Sequence, residues 1–197
     1  MKEKIEIASA SLLHVKLTQL LKERADLKQR FGATVFAVLQ EPGKADREIF
    51  LGHNIVVPGM GILVAQLVKD CSAVLAGFSF MGVGTGGTGE DPFNPPAPLG
   101  NETLLKNEIF RKGFSSVNFV DANGLPVLTP TNTVDFAATF TETEAVGPLT
   151  ELGIFGGDAT ATPNSGTMVN YIRFPVVSKT ATSTLTLVVR FVFAPGS

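Results

Sequence analysis

Three segments between Thr133 and Phe193 alternate apolar with polar residues: TVDFAATFT (133–141), GTMVNYIRF (166–174) and STLTLVVRFVF (183–193). Successive side chains of a β-strand point to opposite faces, so a two-residue period predicts a strand with one buried face. In the third segment the residues on that face are Leu185, Leu187, Val189, Phe191 and Phe193. Turn residues separate the segments. The stretch therefore predicts an antiparallel sheet with one buried face, and it contains no catalytic motif.

Outside this stretch, apolar runs predict further strands at 34–39, 48–57, 74–81 and 114–120. A three- to four-residue period over 59–71 predicts a short internal helix. The segment 104–110 is amphipathic, and its pattern assigns it to neither class. Seven or eight strands with one internal helix favour a mainly β protein whose body is an antiparallel β-sandwich or jelly roll.

Residues 11–31 predict an amphipathic helix that Ser11 caps and Gly32 ends. Its apolar stripe consists of Leu13, Leu17, Leu20, Leu21, Leu27 and Phe31. We therefore divide the chain into an N-terminal helical arm, 1–32, and a β-sandwich domain, 33–197. A single apolar stripe suits packing on a partner or on a sister copy. The candidate assembly contacts are Leu13, Leu17, Leu20 and Leu21.

Composition excludes several classes of protein. Only 17% of the 197 residues are charged, which favours a β-rich body with much of its surface covered by a partner. The net charge of −2 argues against direct nucleic-acid binding. No apolar run approaches the roughly 20 residues that cross a bilayer, and no signal peptide follows Met1, so we expect a soluble product made in a cytoplasm. The lone Cys71 excludes an internal disulfide framework and predicts a buried, inert thiol.

The string Gly82-x-Gly84-x-x-Gly87 matches a dinucleotide-binding fingerprint, and a predicted strand precedes it. That site also needs a helix beginning at the third glycine, whose N-terminus faces the pyrophosphate. The residues that follow are Glu90-Asp91-Pro92, which cannot start this helix and would repel phosphate. We therefore interpret the glycines as a flexible loop at a strand end, and we predict no cofactor.

Acidic residues in the second half of the chain are candidates for a carboxylate pair or a Ca²⁺ site: Glu142, Glu144 and Glu151, together with Asp135 or Asp158. Their spacing differs from that of a calcium-binding loop, and Glu142 and Glu144 would share the solvated side of an extended strand. The two histidines, His14 and His53, have no metal-ligand spacing. The sequence thus predicts no catalytic, cofactor or metal site, and the protein is not expected to be an enzyme.

Five motifs resemble small structural proteins of tailed-bacteriophage virions: FMGVGTG (80–86), LLKNEIFRK (104–112), ATFTETEA (138–145), LTELGIF (149–155) and GTMVNYIRFP (166–175). The resemblance covers roughly residues 53 to 193 and leaves the N-terminal arm outside. It implies a β-sandwich virion component present in many copies, without catalytic residues to carry over.

The short chain and its arm favour a capsid decoration (cement) protein that binds and stabilises the assembled shell. The expected partners are copies of itself, as a homo-oligomer and by symmetry a trimer, and the major capsid protein or other virion proteins. The alternative is a neck, tail or baseplate component, including a short receptor-binding module, with loops 82–100 and 156–166 as exposed tips. A carbohydrate-binding sandwich or hydrolase is disfavoured because the chain has no Trp and one Tyr.

Overall fold

The computed structural model describes residues 32–69 and 76–193. The helix predicted at 11–31, with its candidate contacts Leu13, Leu17, Leu20 and Leu21, lies outside the described residues, and so does Cys71. Within the described ranges the chain forms ten strands and one helix. They are β1 (Gly32–Gln40), β2 (Arg47–Val56), α1 (Pro58–Lys69), β3 (Ala76–Gly84), β4 (Glu108–Gly113), β5 (Ser116–Val120), β6 (Pro126–Val127), β7 (Thr133–Phe140), β8 (Gly147–Gly157), β9 (Thr167–Lys179) and β10 (Thr184–Val192).

All ten strands belong to one antiparallel sheet in the order β4-β3-β8-β9-β2-β1-β10-β7-β5-β6. The predictions of a mainly β protein and of one short internal helix are confirmed for the described residues. β2 joins the two halves of the sheet, because its first part pairs with β1 whereas Ile55 and Val56 pair with β9. β1 and β10 pair along their whole length, from Gly32 opposite Val192 to Gln40 opposite Thr184.

Phenylalanine contacts join the two halves of the sheet. The ring of Phe78 in β3 lies 5.2 Å from that of Phe136 in β7 and 5.1 Å from that of Phe191 in β10, measured between centroids. These strands are far apart in the order of the sheet, so the sheet curves back on itself. The main core lies between its halves and joins residues such as Val83 and Leu152 to Leu187 and others of β10.

The expectation of one buried face is wrong for β9 and for the middle of β10. β9 is buried without interruption from Met168 to Phe174. It lies between β8 and β2, and α1 covers part of it, with Gly59 so close to the Met168 carbonyl that a side chain there would collide. In β10, Val188 packs on the opposite face from Leu187, in a small cluster with Phe36 and Val38.

The strand β8 was missing from the sequence prediction, which took Gly147-Pro148 and Gly156-Gly157 as breaks between strands. It is an eleven-residue strand, paired with β3 and β9 and buried from Leu149 onward. A strand buried on both faces shows no two-residue period. Its glycines lie where neighbouring side chains approach the backbone closely: a Cβ on Gly153 would lie 2.9 Å from the sulfur of Met168.

Candidate functional site

Glu151 is a fully buried carboxylate in the middle of β8, and four donors surround it. Its Oε1 accepts hydrogen bonds from the backbone N–H groups of Gly86 (3.2 Å) and Asn107 (2.8 Å). Its Oε2 accepts from the N–H of Lys106 (3.1 Å) and from the Tyr171 hydroxyl (2.7 Å). A carboxylate offers about four acceptor positions, so these bonds leave none for a metal ion or a substrate proton. The carboxylate joins both ends of the 85–107 segment to the sheet.

Three glycines at the end of β3 and just after it, Gly82, Gly84 and Gly86, lie where other groups approach the backbone closely. Gly82 and Gly84 lie inside β3, and a Cβ on Gly84 would collide with the Asn107 carbonyl and with Oε1 of Glu151. Gly86 has a φ of +77°, a conformation that favours glycine, and a Cβ there would lie 2.6 Å from Nη2 of Arg173. The interpretation as a loop is therefore wrong for Gly82 and Gly84, which lie in the strand, whereas Gly86 lies in the loop that follows it. Gly84 passes close to Glu151, and Gly82 passes close to Glu108 and Phe155.

A second carboxylate, Glu90, binds the first part of the 85–107 segment to β9 and to the end of the same segment. Its Oε2 accepts from Nη2 of Arg173 and its Oε1 from Nζ of Lys106, each at 2.5 Å. The hydrogen bond from Arg173, helped by that from Lys106, lowers the pKa of Glu90 to about 2. The Arg173 side chain is 2% exposed, so Glu90 supplies the partner that a buried charge requires.

Tyr171 and Arg173 reach this network because they are two residues apart in β9 and share a face. Arg173 lies directly opposite Glu151 in the pairing of β8 with β9. Burial, followed by the hydrogen bond to Glu151, raises the pKa of the Tyr171 hydroxyl, which stays protonated as a donor. Glu151, Tyr171, Arg173, Glu90 and Lys106 form what we call the carboxylate clamp.

The other acidic candidates are not brought to the clamp. Glu144 lies in the turn after β7, where its Oε2 accepts from Nζ of Lys112 at 2.6 Å. This hydrogen bond is the main reason that the pKa of Glu144 is lowered. The expectation that Glu142 and Glu144 share one side of a strand is wrong, because the Thr141 N–H bonds back to Glu144 in that turn.

Asp135 and Asp158 lie apart from the clamp and from Glu144. Asp135 forms a two-pronged ion pair with Arg190 of the neighbouring strand β10, at 2.6 and 2.7 Å, and Asp158 is exposed. In residues 32–69 and 76–193, no three His, Cys, Asp or Glu side chains come together as metal ligands. The acidic candidates therefore lie apart: Glu151 holds a segment, Glu144 a turn and Asp135 a strand pair.

A further buried ion pair fixes the loop after β8. Nε of Arg111 donates to Glu108 at 2.5 Å, and Nη1 donates to the Ser165 carbonyl at 2.9 Å. The guanidinium also lies 4.0 Å from the centre of the Phe155 ring. Sequence reasoning missed Arg111, Arg173 and their partners. The available signal for Arg173 was its place between the apolar residues Ile172 and Phe174, where a buried charge requires a partner. β4 is charged at several positions, so Arg111 gave no such signal.

Several large apolar side chains remain exposed on the described surface. On the 85–107 segment, Phe93 is 75% and Leu99 is 85% exposed. On the turns beside β6, Leu125 and Leu128 face outward. On α1, Ile62, Val64 and Leu67 are exposed in part, but in a helix of 3.6 residues per turn they point in different directions and form no single face. Val117 and Val146 are exposed singly, as is normal for a protein surface.

Comparison with known proteins adds no relative. No protein-family model matches the chain, and no curated protein sequence matches it. None of the helices formed by residues 32–69 and 76–193 combines the length and the apolar character needed to cross a membrane. The resemblance to phage virion proteins therefore rests on the five sequence motifs alone.

Proposed function

We propose that the protein is a structural component of a tailed-bacteriophage virion, most specifically a capsid decoration (cement) protein, and that it is not an enzyme. The observation that carries the proposal is the use of Glu151. The most deeply buried of the acidic candidates has all its acceptor positions occupied by structural donors. We therefore expect the function to depend on the shape of the folded body and on its surface contacts with other proteins.

The clamp makes the 85–107 segment part of that body. Phe93 and Leu99 stand on a segment that is bonded at both ends to Glu151 and, through Glu90, to Arg173, so less backbone freedom is lost when a partner covers these side chains. Burying two such residues contributes about 3–6 kcal/mol before ordering costs. We propose that they contact the capsid shell, that the curved sheet acts as a sandwich-like block, and that the copies associate as trimers.

Immunogold labelling of virions from the phage that encodes the chain tests this proposal. We expect gold particles distributed over the head. Substituting Phe93→Asp should reduce the number of copies bound per head, whereas Leu128→Asp on a separate surface should not. Unlabelled virions would overturn the assignment to the particle altogether.

A neck, tail or baseplate component is the second candidate. Phe93 and Leu99 support it as well, because an exposed apolar pair on a firmly held projecting segment also suits contact with a host receptor or an adjoining tail protein. The same labelling experiment separates the two candidates. Gold confined to the tail or neck, with bare heads, would decide for this one and against a decoration protein.

A further inference from the structure

A proline-rich stretch, FNPPAPLG (93–100), lies in the middle of the 85–107 segment. Proline fixes its own φ at about −65° and disfavours the helical region for the residue before it. Prolines at 95, 96 and 98 therefore favour a polyproline II helix over 94–98, a conformation without internal hydrogen bonds. In the structure, residues 95–99 belong to no helix, strand or turn, as this conformation requires.

Exposure along the stretch follows the three-residue period of a polyproline II helix. Pro95 and Pro98, which are three residues apart and share one edge, are half-buried against the body. Pro96 and Leu99 share another edge, and both are exposed, Leu99 to 85%. We call the outward edge formed by Pro96 and Leu99 the proline ridge.

Hydrogen bonds fix the stretch on both sides of the proline ridge. Before it, the N–H of Val176 in β9 donates to the Pro92 carbonyl at 2.8 Å. At its end, the Glu102 carboxylate accepts from the N–H groups of Leu99 (2.6 Å) and Gly100 (2.9 Å). A ligand that is already held in one conformation loses less entropy when a partner binds it.

The backbone of the stretch offers acceptors and almost no donors. Because proline has no N–H, Ala97 is the only residue from 95 to 98 with a backbone donor. Among the described residues, no backbone N–H donates to the carbonyls of 94–98. A partner that adds a β-strand would need donors from both chains, so this backbone suits a different mode of recognition. Tyrosine and tryptophan side chains fit it, since each combines a flat apolar face for a proline ring with an O–H or N–H for a carbonyl.

We propose that the proline ridge is bound by a partner protein in a groove lined with tyrosine or tryptophan side chains. Pro96 and Leu99 enter the groove, and aromatic O–H or N–H groups donate to the carbonyls of 94–98. This inference rests on the proposed function, because the partner is then a head or tail protein of the virion.

Heads and tails purified from a phage mutant that lacks the protein are the binding probe. We expect the wild type to bind one of them saturably. Pro96→Leu should bind about tenfold more weakly, or about 1.4 kcal/mol, because leucine keeps an apolar side chain but loses the ring and the fixed φ. The matched control is Pro130→Leu, the same change at an exposed proline beside Leu128, which should bind as the wild type does.

The outcomes separate this inference from the proposed function. If Pro96→Leu binds as tightly as the wild type, the contact is not proline recognition, and the inference is overturned while the virion assignment stands. A wild type that binds neither heads nor tails would overturn both. Far-UV circular dichroism should be the same for Pro96→Leu and the wild type, since Pro96 is exposed.

A cryo-EM map of the wild-type complex tests the chemistry of the groove. We expect a tyrosine or tryptophan ring of the partner within about 4 Å of the Pro96 ring. A contact made by aliphatic side chains alone, or a partner strand paired with 94–98, would overturn the proposed groove.

Discussion

Replacing Glu151 by Gln keeps the shape of the side chain and removes one of its two acceptor oxygens. The best orientation places the amide nitrogen toward Lys106 and Tyr171, where the tyrosine oxygen can turn to accept. The Lys106 N–H then has no acceptor, and a buried unpaired donor costs about 1–3 kcal/mol. The remaining bonds also lose their charge-assisted strength. We therefore expect Glu151→Gln to lower the free energy of unfolding by about 2–4 kcal/mol.

Urea unfolding followed by circular dichroism measures this loss, and fluorescence of the single tyrosine, Tyr171, is a second probe inside the clamp. The control is Glu142→Gln, which makes the same chemical change at an exposed turn position and should alter stability by less than about 0.5 kcal/mol. If Glu151→Gln is as mild as the control, the carboxylate does not hold the 85–107 segment, and the reasoning from its four donors is refuted.

Three further predictions concern the same region. Gly84→Ala should cost about 1–3 kcal/mol in thermal unfolding because its Cβ has no room, whereas Gly77→Ala on the same strand, with no atom within 4 Å, should be nearly neutral. Because the pKa of Glu90 is lowered from 4.5 to about 2, the stability that its carboxylate contributes should be present above pH 4.5 and lost as the pH falls toward 2. A stability gap between the wild type and Glu90→Gln that does not shrink on acidification would contradict this. The pKa of Tyr171 is raised above its usual 10.0, so the advantage of the wild type over Tyr171→Phe should hold below pH 10 and decline above it; a constant difference in urea unfolding would count against the buried hydroxyl.

A two-residue alternation correctly predicts β7 at 133–141, because buried and partly exposed side chains alternate from Phe136 to Phe140. The segments at 34–39 and 48–57 correspond to β1 and β2 and are predicted from their apolar runs, although β1 is buried on both faces. β8 is also buried on both faces, and the glycines at its two ends were taken as breaks between strands. The helix at 59–71 is confirmed as α1 with its bounds shifted slightly.

The clamp was less accessible to sequence reasoning. Glu151 was among the candidate carboxylates, but its partners Gly86 and Tyr171 are 65 and 20 residues away in the chain. Only the pairing of β8 with β9 brings Arg173 opposite Glu151. The glycines at 82, 84 and 87 were interpreted as a flexible loop, because sequence alone does not distinguish a glycine needed for backbone freedom from one needed for close approach.

The pairing of Gly32 with Val192 has a mechanical consequence. Both ends of the described body leave it at the same corner, on adjacent antiparallel strands. Tension between the two ends would therefore load the β1–β10 ladder as an unzipping fork, in which backbone pairs open one after another at low force. Tension between that corner and the remote strand β4 would instead shear several ladders together. We therefore expect the described body to unfold at a lower force when it is pulled between residues 32 and 192 than when it is pulled between that corner and β4.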